Sequence, residues 1–164
     1  HADRMEALAI EMGGKLGLTQ SELDRLRLLT KFHDIGKVGI PDSILKKEGP
    51  LTDEEWKIMR THTNIGERIA RESAELEAIA PLILRHHERW DGHGYPLGIA
   101  QDDIPLECRI LSIVDTYDAM TNDRPYRRAL PPETAIQEIS DKRGSQFDPK
   151  LVEVFTNIAG SRMS

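Results

Sequence analysis

One cysteine, Cys108, stands in this chain of 164 residues, so no internal disulfide can form. Its scarcity also excludes a structural zinc site built on thiolates, and it reads as a small buried apolar residue. A reducing cytoplasm suits such a chain. Positive charge is short as well: Lys and Arg total 22 against 28 Asp and Glu, a formal net charge of -6. General binding to nucleic acid or to an anionic membrane needs a positive face, so both are argued against and only a local basic pocket is left open. No apolar run reaches bilayer-spanning length, and the first residues lack the apolar core of a signal peptide. Strand alternation, internal repeats and low-complexity linkers are missing too, which leaves an all-α fold. The chain opens on His1 without an initiator methionine and reads as a single domain, 1–164, cut from a longer protein.

What is present is helical periodicity, and it repeatedly runs into ionisable residues. Met5, Leu8, Ala9, Met12 and Leu16 share one face of a first helix from Ala2. Thr19 and Glu22 form a capping box, and the stripe Leu23, Leu26, Leu29, Phe32 leads straight into His33 and Asp34. Gly36 reads as the left-handed stop of that helix, with Lys37 folding back beyond it. Residues 41–46 read as one helical turn. A second capping box, Thr52 with Glu55, opens a helix to about Ser73 with Ile58, His62, Ile65 and Ile69 along its apolar face. Another helix, about Ala74 to Arg89, carries Leu76, Ile79, Leu82 and Ile83 and arrives at His86 and His87.

From Glu88 to Pro105 the periodicity breaks in a glycine-rich stretch, WDGHGYPLG, long enough to be an ordered binding loop. His93, between glycines, reads as exposed and not a ligand. Helical spacing returns from Leu106 to about Met120, with Asp115 at the border of the buried face. An irregular stretch, TNDRPYRRAL, follows. Pro132 and Asp148-Pro149 then open two final helices.

The chain has six histidines, and His1, His33, His62, His86 and His87 fall at helix ends or on apolar faces. Burying that many imidazoles together with Asp34 and Asp115 is costly unless each is paired, and a metal cluster satisfies them at once. Mixed nitrogen and oxygen donors fit iron, manganese, zinc or nickel rather than calcium or magnesium.

The set His1, His33-Asp34 and Asp115 resembles the H…HD…D pattern of the HD phosphohydrolase superfamily. The longer motifs HDIGKVGIP, THTNIGE, HHERWDGHGYP and DTYDAMTNDRPYR are similar to its HD-GYP subfamily, over nearly the whole chain. The resemblance implies a compact helical HD-domain bundle with a GYP-containing loop, cytoplasmic and part of a longer signalling protein, that hydrolyses cyclic di-GMP. It implies two divalent ions, or three, with iron or manganese ahead of zinc or nickel. His1, His33, Asp34 and Asp115 would hold one, and Asp34 would bridge to a second held by His62, His86 and His87.

Lys37 matches the family lysine at the scissile phosphate, and Asp34 and Lys37 are the residues expected to carry the chemistry. Asp118, Arg124 and Arg127 match substrate-binding positions, and Tyr95 or Tyr126 could stack on a base. A hydroxide bridging the metals would attack phosphorus in line and release linear pGpG first, with pGpG and GMP both open as the final product. A homodimer and a GGDEF-domain partner at the GYP loop belong to the same expectation; nucleic acid and membrane contact do not. Two rivals stand beside it: a signalling module that binds nucleotide or protein without turnover, and an HD-type hydrolase of another nucleotide.

Overall fold

The computed structural model describes residues 2–125 and 127–163, with the side chain of Ala2 left aside. Nine α-helices appear among them: α1 Ala2–Lys15, α2 Gln20–Phe32, α3 Asp42–Leu45, α4 Asp53–Arg60, α5 His62–Arg71, α6 Ala80–Arg85, α7 Leu106–Thr121, α8 Pro132–Asp141 and α9 Pro149–Met163. Short 3-10 segments cover Ile35–Gly39, Glu77–Ile79 and Gln101–Asp103. No strand occurs among the described residues, only isolated bridges at Arg124–Arg127 and Arg143–Phe147. The all-α expectation holds.

The helices start where their sequence allows. Both capping boxes form: Thr19 accepts from the Glu22 N–H while Glu22 accepts from that of Thr19, and Thr52 and Glu55 do the same. The apolar stripes of α1, α2 and α7 then face one another, so Met5, Met12, Leu26, Leu29, Ile110 and Leu111 are buried in one core. Phe155 and Leu151 of α9 and Ile83 of α6 close it. Removing such apolar surface from water is the main stabilising term. Cys108 lies in this core, and burial pushes its thiol up, as an inert cysteine requires.

Three departures from the sequence reading all concern the site. The helix expected over residues 52–73 is two helices, broken at Thr61, so His62 opens α5 instead of sitting mid-helix, and Ile58 is 42% exposed rather than on a buried stripe. The helix expected over 74–89 is a 3-10 turn followed by α6, which ends at Arg85 with His86 as its cap. Gly36 does not end a helix: α2 stops at Phe32, and Gly36 is a buried member of the 3-10 segment and not one of the described glycines at positive φ. Its lack of a side chain serves close approach, since a Cβ there would lie 1.8 Å from the His62 carbonyl oxygen. That contact seats Ile35–Gly39 directly on the start of α5.

Candidate metal centre

Each ligand-type histidine among the described residues sits at an interruption in helical structure. His33 caps α2, His62 opens α5 directly after the break at Thr61, His86 caps α6, and His87 follows it. There the backbone is free to aim consecutive side chains into one space. Asp34 is the centre of that space: its Oδ2 lies 3.3 Å from His33 Nε2, and its Oδ1 lies 3.6 Å from His62 Nε2 and 3.7 Å from His86 Nε2. Asp34, His62, His86 and His87 offer ligand atoms all within 4.8 Å of one another. Asp115, from α7, approaches the same nitrogen of His33, its Oδ1 3.9 Å from Nε2. Lys37, one turn along the 3-10 segment, places Nζ 3.1 Å from Asp34 Oδ2.

Three rings are oriented in one way. His33 Nδ1 bonds the Thr30 carbonyl at 3.1 Å, His62 Nδ1 that of Met59 at 2.7 Å, and His86 Nδ1 that of Ile83 at 2.6 Å. A carbonyl only accepts, so each Nδ1 must carry the proton, and in a neutral ring Nε2 is left with a lone pair. All three Nε2 atoms are buried and find no hydrogen-bond partner among the described residues. Buried polar atoms left unpaired are costly, and divalent cations are partners that take imidazole lone pairs and carboxylates together. The donor set therefore fits a metal.

Electrostatics agree with that arrangement. Burial opposes ionisation of Asp34, but its interactions with His33 and His86 and the charges of His33 and Lys37 outweigh it and hold the carboxyl well below the usual range. Burial likewise opposes charge on His33, and Asp34 and Asp115 overcome it, so His33 lies above its ordinary value. For His87 burial comes first, then the neighbouring His86 and His62, and these outweigh the opposing Asp34 charge and push it down to about 2. His62 is lowered mainly by burial.

The loop after His87 is built onto the site by a residue the sequence reading passed over. Glu88, only 3% exposed, accepts from the backbone N–H groups of Leu97 at 2.7 Å, Gly98 at 2.9 Å and Ile99 at 3.2 Å. Gly94 lies against the same segment, where a Cβ would come within 2.5 Å of the His87 carbonyl oxygen. A carboxylate directly after two ligands and ahead of a glycine-rich loop was the available signal; no periodicity marked it. Tyr95, on that loop, stacks on His87 with ring centroids 5.1 Å apart.

The remaining expected residues are placed unequally. Asp118, one turn beyond Asp115, is buried and held by Arg4 at 3.3 Å and by the Asn122 amide at 3.1 Å. It borders a cavity of about 430 Å³ between α1 and α7. Arg124 and Arg127 are exposed and bonded to each other through their backbones, and the Arg127 guanidinium donates to the Ala119 carbonyl. His93 is exposed, as expected. His1 and Tyr126 lie outside the described residues.

A family model for the HD domain matches residues 1–151. The chain belongs to the HD-domain family. Among curated members, a cyclic di-GMP phosphodiesterase of Thermotoga maritima is 40% identical over 160 residues, which is 96% of this chain and 44% of that protein. The cyclic di-GMP phosphodiesterase response regulator RpfG of Xanthomonas campestris is 39% identical over 92% of this chain and 40% of its own length. A crystal structure of a cyclic GMP-AMP specific phosphodiesterase of V. cholerae superposes with a TM-score of 0.77 at 27% identity, covering 99% of this chain and 44% of that one. The chain thus spans less than half the length of these HD-domain relatives. The HD-GYP resemblance read from the motifs is borne out. No helix among the described residues is long and apolar enough to cross a membrane.

Proposed function

We propose that this HD domain is a metal-dependent phosphodiesterase that hydrolyses cyclic di-GMP, with pGpG as the first product and pGpG or GMP as the last. The observation that carries the reading is the convergence of three tautomer-fixed, unpaired Nε2 atoms on Asp34. His33, Asp34 and Asp115, with His1, would hold one divalent cation, and His62, His86 and His87 a second, Asp34 serving both. Iron or manganese suits this donor set best, with zinc or nickel as alternatives and a third ion as a variant. Such ions supply Lewis acidity toward a phosphoryl oxygen and acidify water at neutral pH.

The chain's own residues do the rest. Asp34, held ionised, keeps the imidazoles facing the centre of the cluster. Lys37, 40% exposed, turns its ammonium from Asp34 toward solvent-borne phosphate and offsets charge that grows on the non-bridging oxygens. Attack of water in line with the ribose 3′ oxygen opens the ring at one phosphodiester. Asp118, Arg124 and Arg127 are proposed to bind the nucleotide, the arginines through bidentate contacts to phosphate or a guanine edge. The exposed Leu97 and Pro96 of the loop make a surface for a GGDEF-domain partner. One domain over 1–164, in a longer cytoplasmic signalling protein that forms a homodimer, completes the reading.

A second substrate has a specific observation behind it, the likeness to the V. cholerae cyclic GMP-AMP enzyme. Metal analysis of anaerobically purified protein, with chromatography of products from cyclic di-GMP and cyclic GMP-AMP in parallel, tests both. Faster release of pGpG supports the proposal. Faster turnover of the hybrid reassigns the substrate, and bound metal with no product from either makes this a binding module.

A further inference from the structure

Four imidazoles meet at Asp34, but they are not held alike. His33, His62 and His86 are each fixed by an Nδ1 bond to a carbonyl three residues back, whereas His87 makes no such bond among the described residues. It lies two residues past the end of α6. Its ring instead lies face to face on Tyr95, the planes 15° apart, while it meets His62 edge-on at 81° and His86 at 45°. Over the same Tyr95 ring the guanidinium carbon of Arg60 sits 5.3 Å from the centroid. Arg60 is the last residue of α4, two positions before His62. Tyr95 is tethered from its own side as well, its N–H donating to the His87 carbonyl at 3.3 Å.

An imidazole without a hydrogen bond is free to turn about its last torsion, which has broad wells. Offset stacking on an aromatic ring removes that freedom, and a cation over the ring holds the stacking partner in turn. We infer that Tyr95 and Arg60 are positioning residues of the metal centre: Tyr95 gives His87 the orientation that backbone carbonyls give the other three histidines, and Arg60 clamps Tyr95. The Tyr95 ring is engaged by protein groups on this arrangement, so it serves the cluster and not a nucleobase. The inference rests on reading the cluster as a metal centre.

Manganese affinity, measured by competition with a chromophoric chelator, tests it in the wild-type chain and in Tyr95→Leu, Tyr95→Phe, Arg60→Gln, Arg60→Lys and His33→Ala. Tyr95→Leu is expected to weaken binding by about 10–100-fold, as loss of an orienting partner does. Tyr95→Phe keeps the ring and binds like wild type. Arg60→Gln, an exposed change that spares the core, loses about threefold and Arg60→Lys restores it. In long-range 1H–15N spectra of the metal-free protein, only the His87 ring signals of Tyr95→Leu broaden. Wild-type affinity and unbroadened His87 signals in Tyr95→Leu overturn the inference, as does a raised KM with unchanged affinity, which would give Tyr95 to the substrate. His33→Ala separates the two layers: if it loses manganese and Tyr95→Leu does not, only the positioning role fails. If His33→Ala binds manganese like wild type, the metal centre itself is misread and both fall.

Discussion

His33 Nε2 and Asp34 Oδ2 lie 3.3 Å apart although the residues are consecutive. In an unbroken α-helix neighbouring side chains diverge by about 100° and do not face each other. Here α2 stops at Phe32, and Asp34, at φ -98 and ψ 13, turns the chain into the 3-10 segment. Imidazole and carboxylate swing to the same side, and Lys37 arrives on that carboxylate from one 3-10 turn further on.

Removing the carboxylate should therefore empty the site without unfolding the helices. Asp34→Ala is expected to weaken metal binding more than about 100-fold and to abolish turnover, with far-UV circular dichroism unchanged. His33 should also respond, because burial already disfavours its charge and Asp34 is the main compensation. Its pKa in the metal-free variant, followed by NMR, is expected to fall. An unchanged His33 titration would contradict that compensation.

Gly36 tests the close seating of the 3-10 segment on α5. A methyl group there would meet the His62 carbonyl and the Gly66 amide, both backbone, so neither can step aside. Gly36→Ala should cost about 3 kcal/mol or more in denaturant unfolding and should lower metal affinity by displacing His62. Gly14 is the control: it is exposed in α1, and a methyl group added there would meet nothing within 4 Å. Gly14→Ala should stabilise the protein by about 0.5–1 kcal/mol, since it only limits the freedom of the unfolded chain.

These two glycines mark what the sequence made legible. Stripes such as Met5, Leu8, Met12 and Leu26, Leu29 gave the packed faces, because burial follows helical spacing directly. The histidines were legible as a set because each ended an apolar stripe or sat upon one. The breaks that aim them were not: nothing in RTHTN announces that α4 ends before Thr61, and the close seating of Gly36 on His62 and Gly66 just beyond the break is a contact between segments distant in sequence. Glu88 and Arg60 were hidden for a different reason. Their partners, three amides at 97–99 and the ring of Tyr95, are distant in sequence and come together only once the loop folds back.

Glu88 should be worth more than its position in a loop implies. Glu88→Ala strips three backbone N–H groups of a charged acceptor, a loss on the order of 3 kcal/mol. Amide hydrogen exchange at Leu97, Gly98 and Ile99 should accelerate in step, ahead of the helical core. Glu88→Gln keeps one acceptor oxygen without the charge and should fall between the two. Exchange at 97–99 as slow as in wild type would show that other contacts hold the loop.

Acid should weaken the metal-free protein through His87. Its folded pKa, about 2, lies below the ordinary 6.5, so under pH 6.5 the unfolded chain takes up a proton that the folded chain refuses. Stability is then lost as pH falls from 6.5 toward 2, by on the order of 1 kcal/mol per pH unit. His62, also lowered, adds in the same direction. His33 acts oppositely, because its raised pKa gives a stabilisation present below 6.5 and lost as pH rises through its folded value. The wild-type protein compared with His87→Gln isolates the term: in excess chelator, the variant's unfolding free energy should fall less steeply between about pH 6.5 and 4. Parallel slopes for the two proteins would mean that His87 is protonated in the folded state after all, and that the cluster accepts charge where its burial says it should not.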